Sequence, residues 1–158
     1  RDIHYSLQCD YYTENSFNAH CLQTELSSNA FSLIHHNIRS ANSNLDELEN
    51  FLLSLQHKFS IICLSETWFR DYNAETFNIP GYSHEYIHRA DRSGGGVSIF
   101  TQDSIQLARR NDLSILTPCI EALFIEIPKE SIQDATTNII VGVICRPPNT
   151  SIDDFIPT

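Results

Sequence analysis

The chain contains no methionine, one tryptophan, five glycines, and ten basic residues against twenty acidic ones. Each shortage excludes something. With Arg1 rather than Met at its start, the sequence is expected to begin inside a longer translation. Apolar runs stop after four to six residues, well short of the roughly 20 that cross a bilayer, so no membrane partner is expected. Arg1-Asp2-Ile3-His4-Tyr5 lacks the apolar core of a signal peptide, which argues for a nuclear or cytoplasmic rather than a secreted protein. The five cysteines are an odd number without paired short spacings, which excludes a disulfide framework and argues against a zinc cluster. Cys9, His20 and Cys21 are possible ligands in principle, but no second pair follows them. The sequon Asn149-Thr150-Ser151 is read as chance. A net charge of −10 leaves little basic footprint, so any binding to a DNA duplex should be weak.

What is there is globular. At 158 residues, 41% hydrophobic and 19% charged, the chain has one domain's worth of core-forming sequence. Residues 1–29 are rich in Ser, Asn, Thr and aromatics without sustained periodicity, and are expected to be a loosely ordered leader. Residues 30–158 show no composition break and no repeat, and form the domain proper.

Two polar signatures stand out, each where an apolar run stops: His35-His36-Asn37-Ile38-Arg39-Ser40 after Phe31–Ile34, and Leu64-Ser65-Glu66-Thr67-Trp68 at the end of Ile61–Leu64. Ile61–Leu64 is continuous and partly β-branched, as in a strand covered on both faces. Between the runs Leu45, Leu48, Leu52 and Leu55 make a helical stripe widened by Phe51. Ser43 or Asn44 could cap that helix, answered by Asp46 or Glu47. Strand, helix, strand with short connections predicts a right-handed βαβ unit, whose ligands bind beyond the carboxyl ends of its strands. Asn37 and Glu66 both fall there. A carboxylate beside a neutral oxygen suits Mg²⁺, which takes one or two carboxylates and keeps several waters. Taken singly, Asn37 also fits a turn and Glu66 a solvated charge, and geometry alone leaves both options open.

Residues 70–92 look like a long connection with a turn at Asn78-Ile79-Pro80-Gly81-Tyr82. Gly94-Gly95-Gly96 precedes a strand at Val97–Phe100; with no helix start behind it, this is a flexible turn or a close backbone approach rather than a phosphate-binding loop. Further strands are expected at Ile105–Leu107, Ile120–Ile127 and Asn138–Cys145. In the second of these, Glu121, Leu123, Ile125 and Ile127 share a face. Cys63 and Cys145 lie in apolar runs and are expected in the core. Arg39, Arg89, Arg92 and Arg146 crowd the expected rim, while Asp153-Asp154 suits the first turn of a helix better than a metal pair.

Taken together, HHNIRS at 35–40, LDELENFL at 45–52, IICLSETWF at 61–69, NIPGY at 78–82, HRADRSGGGVSIF at 88–100, EALFIEI at 121–127 and IIVGVICRPPN at 139–149 resemble the N-terminal part of an endonuclease/exonuclease/phosphatase domain of non-LTR (LINE-like) retrotransposons. The resemblance covers Phe31 to Pro148. It implies an α/β sandwich of two sheets flanked by helices, and magnesium-dependent phosphodiester hydrolysis that nicks target DNA, with Mn²⁺ as a possible substitute. It also implies a reverse transcriptase region in the same polyprotein. Glu66 matches the family's metal-binding glutamate and Asn37 the asparagine that positions metal and phosphate. Arg39, Arg146 and Asn149 would contact phosphate or DNA. Two departures stand out. Cys145 occupies a position where the family commonly has tyrosine, and the Gly-Asp-Phe-Asn and Ser-Asp-His blocks, with the water-activating aspartate and the histidine base, do not occur in the sequence. Strands of the missing half would belong to the second sheet, so an apolar face is expected to lie exposed. An inactive, truncated retroelement remnant is the alternative; a cellular phosphatase of the same superfamily fits the blocks at 88–100 and 139–149 less well.

Overall fold

A computed structural model of the protein describes residues 9–24, 30–90 and 94–146. In chain order its elements are helix α1 (Glu14–Gln23), strand β1 (Leu33–Asn37), helix α2 (Ala41–Ser54), and strands β2 (Ile61–Ser65), β3 (Tyr82–Ile87), β4 (Val97–Gln102), β5 (Ala108–Arg109), β6 (Ile115–Leu116), β7 (Glu121–Ile127) and β8 (Ile139–Cys145). They build a mixed α/β structure with two sheets. The first runs β1-β2-β4-β3, with β1 and β2 parallel and the other pairs antiparallel. In the second, β7 pairs antiparallel with β5 and β6 and also with β8.

β2 explains the layering. Its residues Ile61, Ile62, Cys63 and Leu64 are all essentially buried, as the unbroken apolar run requires. Ile62 and Leu64 face α2, packing with Leu48, Leu55, Phe59 and Phe100. Ile61 and Cys63 face the second sheet, where Leu123, Ile125 and Ile127 of β7 meet Val141, Val143 and Cys145 of β8. Each buried Ile or Leu in these layers contributes about 1.5–3 kcal/mol of transfer free energy. The expected face of Glu121, Leu123, Ile125 and Ile127 is therefore the buried one, and Cys63 and Cys145 are core residues as expected.

Several elements differ from expectation. The first strand is Leu33–Asn37 rather than Phe31–Ile34, because β1 takes its register from β2, Leu33 opposite Ile61 through Asn37 opposite Ser65. The polar His35-His36-Asn37 thus belongs to a largely exposed edge strand. α2 begins at Ala41, behind Ser40, and neither Ser43 nor Asn44 caps it. Asn44 works from inside the helix instead, its Nδ2 donating to the carbonyls of Ile38 at 2.8 Å and Arg39 at 3.0 Å. Part of the expected long connection is strand β3, whose Tyr82, His84 and Tyr86 alternate over the core under Phe69 and Phe100. Ile105 and Leu107 pack against the core without forming the expected strand; β5 follows them. Within the stretch expected to be loosely ordered, α1 forms behind a Thr13–Ser16 capping box. α1 stacks Phe17 on Phe59, and Asn18 Nδ2 donates at 2.7 Å to the Ser54 carbonyl at the end of α2. No helix among the described residues is long and apolar enough to cross a membrane.

Candidate functional site

Parallel pairing of β1 with β2 sets the carboxyl ends of both strands side by side. The pairing continues past them: Ile38 N donates to Ser65 O at 3.0 Å, Ser40 N to Glu66 O at 2.8 Å and Ala41 N to Thr67 O at 2.9 Å. To keep these bonds the backbone adopts positive φ at Arg39 (47°), Ser40 (88°), Glu66 (56°) and Trp68 (57°). Only two other described non-glycine residues do so, Gln56 and Asp134. Left-handed non-glycine residues each cost on the order of 1–3 kcal/mol, and they gather where neighbours over-determine the chain. Here the neighbours are also the glycines. Thr67 N donates to Gly96 O at 3.2 Å and Trp68 N to Gly95 O at 2.9 Å, which lays the glycine loop against the end of β2.

Glu66 sits in that angle, partly buried. Its Oε2 accepts from Trp68 Nε1 at 2.9 Å and from Gly95 N at 3.0 Å, and its Oε1 accepts from the Cys145 thiol at 3.4 Å. Burial alone would raise its pKa; the hydrogen bonds from Trp68, Gly95 and Cys145, with the nearby charge of Arg89, reverse this and hold it below the usual carboxylate range. Cys145 responds oppositely: burial, then the Glu66 carboxylate, pushes its thiol up to about 12, so it stays a neutral donor.

A second carboxylate lies beneath the loop. Glu121 is fully buried, opposite Cys145 in the β7–β8 register. One oxygen receives Arg89 Nε, and the other receives Gly96 N at 2.7 Å. The glycine loop therefore donates one amide to each glutamate. It is a close backbone approach, one of the two expected readings: a Cβ on Gly95 would fall 2.6 Å from Glu121 Oε1. Arg89, counted in the sequence among the rim arginines, is spent on Glu121; its side chain is 9% exposed. Sequence reasoning missed this pair, although a glutamate heading an otherwise apolar strand face signals a buried partner.

The other expected site residues divide. Asn37 ends β1 directly beside Ser65, its side chain exposed. Next to it His35 Nε2 lies 3.2 Å from Ser65 Oγ, and burial together with neighbouring His36 lowers the His35 pKa, favouring the neutral ring. Arg146 follows Cys145 at the exposed end of β8. Arg39 is exposed and lines a groove with His36, Asn44, Glu47 and Phe51. Asn149, Arg92 and the Asp153-Asp154 pair lie outside the described residues.

The donor set limits the ion. Among the described residues no three His, Cys, Asp or Glu side chains are grouped to hold a metal. One carboxylate completed by waters and substrate oxygens is enough for Mg²⁺. A carboxylate has about four acceptor positions, and three at Glu66 are taken. Oε1 is the open side, because its present donor is a weak thiol. Compared with known proteins, the chain matches no family model and no curated sequence.

Proposed function

We propose that this chain is the metal-holding, N-terminal portion of a magnesium-dependent phosphodiesterase of the endonuclease/exonuclease/phosphatase type, acting on DNA as in LINE-like retrotransposons. The observation that carries this reading is Glu66: an ionised carboxylate at the carboxyl end of a parallel strand, with one oxygen fixed by Trp68 and Gly95 and the other held only by a thiol. The two-sheet arrangement with α2 on its outer face agrees with the sandwich that the sequence resemblance implies.

Glu66 would hold the ion through Oε1, once the Cys145 thiol yields. Mg²⁺ would supply Lewis-acid stabilisation of charge developing on the phosphoryl oxygens. Asn37, one strand away, would donate its amide hydrogens to the same oxygens, and Arg39 and Arg146 would contact flanking phosphates. Glu121 is fully buried and already paired with Arg89 and Gly96, so it would fix the loop that fixes Glu66 rather than hold the ion.

The chain itself contains neither a Gly-Asp-Phe-Asn nor a Ser-Asp-His segment, and positioned acid–base groups are worth roughly 10²–10⁴ in rate. Plasmid nicking in Mg²⁺ by these 158 residues alone should stay near background. Joined to a segment carrying both blocks, the chain should nick, and Glu66→Ala should abolish the gain. Nicking by the joined protein that is indifferent to Glu66→Ala would rule the proposal out. An inactive remnant is the second reading, favoured by the thiol of Cys145 where a phenol is expected; it predicts no nicking even after joining.

A further inference from the structure

Trp68 is the chain's only tryptophan, and its backbone sits at φ 57°, a left-handed conformation that bulky residues avoid. Three contacts hold it there. Its amide donates to Gly95 O at 2.9 Å, its indole Nε1 donates to Glu66 Oε2 at 2.9 Å, and the residue before it, Thr67, is buried with its hydroxyl against Gly96. Gly94 passes the same indole edge: a Cβ there would lie 3.9 Å from Nε1. Backbone and ring edge are therefore both fixed.

The ring nevertheless stays at the surface. Trp68 is 44% exposed, whereas the next residue, Phe69, is 2% exposed and packs on Phe77, His84 and Tyr86. The fold buries one aromatic and holds its neighbour out, in a strained backbone and with its polar atom already bonded. What the indole still offers is apolar. Strained non-glycine residues gather at active sites and ligand clamps. A side chain fixed in advance also loses little freedom when a ligand lies on it.

We infer that Trp68 is a stacking platform for an unpaired nucleobase, the one adjoining the phosphate that an ion on Glu66 would hold. The inference rests on the phosphodiesterase reading and adds the form of its substrate. The indole nitrogen is one hydrogen bond from Oε2, and the ion would sit on Oε1 of the same carboxylate. A nucleotide whose phosphate reaches that ion carries its base a sugar's length away, within reach of the ring. Bases inside a duplex are already stacked and paired, so the indole takes only a base that is unpaired or turned out. Every base has a π-face, so the platform tolerates any sequence. Stacking also needs no charge, which suits a chain whose net charge of −10 leaves little attraction for phosphate. The preferred substrate is DNA with a frayed or single-stranded nucleotide beside the cleaved bond.

Because Trp68 is the only tryptophan, the tryptophan emission of the full chain reports on this ring alone. In metal-free buffer a short oligodeoxythymidylate should quench it saturably. An abasic strand of the same length, with phosphates and no bases, should not. A fully paired duplex should bind at least about fivefold more weakly than the single strand. Anisotropy of the labelled oligonucleotide then compares variants whose folding is checked by far-UV circular dichroism. W68L, without a ring, should weaken binding at least about fivefold and leave its salt dependence unchanged, since no ionic contact is lost. W68F, which keeps a ring and loses the N–H, should weaken it less than W68L does. Absence of quenching, equal quenching by the abasic strand, equal binding by W68L and wild type, or W68F as weak as W68L would each overturn the inference. The metal reading fails separately, through Mn²⁺ binding that is indifferent to Glu66→Gln, and stacking measured without metal is decided independently of it.

Discussion

Gly95 is the residue on which the candidate site closes. Its φ is +72°, and an added Cβ would meet Glu121 Oε1 at 2.6 Å and Arg89 Nη2 at 2.8 Å. Neither partner is a loose chain end, since both are held in a buried ion pair. Gly95→Ala should therefore cost about 3 kcal/mol or more, adding left-handed strain to the disturbance of that pair. Gly81 has a similar φ of +83°, but its Cβ would face only Lys58 Nζ at 3.4 Å, so Gly81→Ala should cost only about 1–2 kcal/mol. Urea denaturation of the two variants reads the difference, and equal losses would mean that the loop is not pressed on the pair. Glu121→Ala should cost about 3–5 kcal/mol, because Arg89 is left buried and uncompensated. Replacing Arg89 and Glu121 together by leucine should recover much of that loss, again by urea denaturation.

At the scale of elements, the entry to α2 shows what local sequence hides. Ser40 at φ 88° makes no side-chain cap, and the first turn holds no acid. Asn44 supplies the missing order by tying the strand exit down at two carbonyls. Asn44→Ala should lower stability by about 1–2 kcal/mol, while Ser43→Ala, whose hydroxyl meets only Ser40 Oγ at 3.2 Å, should cost less than about 0.5 kcal/mol; thermal melts distinguish them. The leucine stripe of α2 and the apolar runs of β2, β4, β7 and β8 were legible because burial writes itself as periodicity. β3 was not, since its core-facing positions are Tyr82, His84 and Tyr86, residues whose polar atoms mimic a loop. α1 was not legible either: it has no apolar stripe, and its place depends on Phe17 and Asn18 meeting Phe59 and Ser54, far along the chain. The same holds at the site. Glu66 and Asn37 could be placed from strand ends, whereas Arg89 finding Glu121 is a contact between residues 32 apart that no local pattern encodes.

Over the whole molecule, protonation links these parts to stability. Burial lowers the pKa of His35, His57 and His84, reinforced at His35 by His36 and opposed at His84 by Glu85 and a backbone bond with Ala74. A depressed histidine binds its proton less well folded than unfolded, so stability is unaffected well above the unfolded pKa of about 6.5 and falls as pH drops below it. Melting temperature should thus decline between about pH 7 and pH 5, before the carboxylates begin to titrate. Replacing His57, whose shift comes from burial alone, by glutamine should flatten part of that decline. A profile level from pH 7 to 5 would contradict the partial burial of these rings. The lowered pKa of Glu66 acts in a separate window: its contribution persists above the ordinary carboxylate range and is lost only as pH falls through the depressed value.

The most direct test of the site is Mn²⁺ binding to the folded chain, followed by electron paramagnetic resonance as loss of the free-ion signal. Wild-type protein should show one saturable site, and Glu66→Gln, which keeps the shape and removes the charge, should weaken it at least about tenfold, or about 1.4 kcal/mol. Equal binding by both proteins, or no saturable site in folded wild type, would contradict Glu66 as the residue that holds the metal.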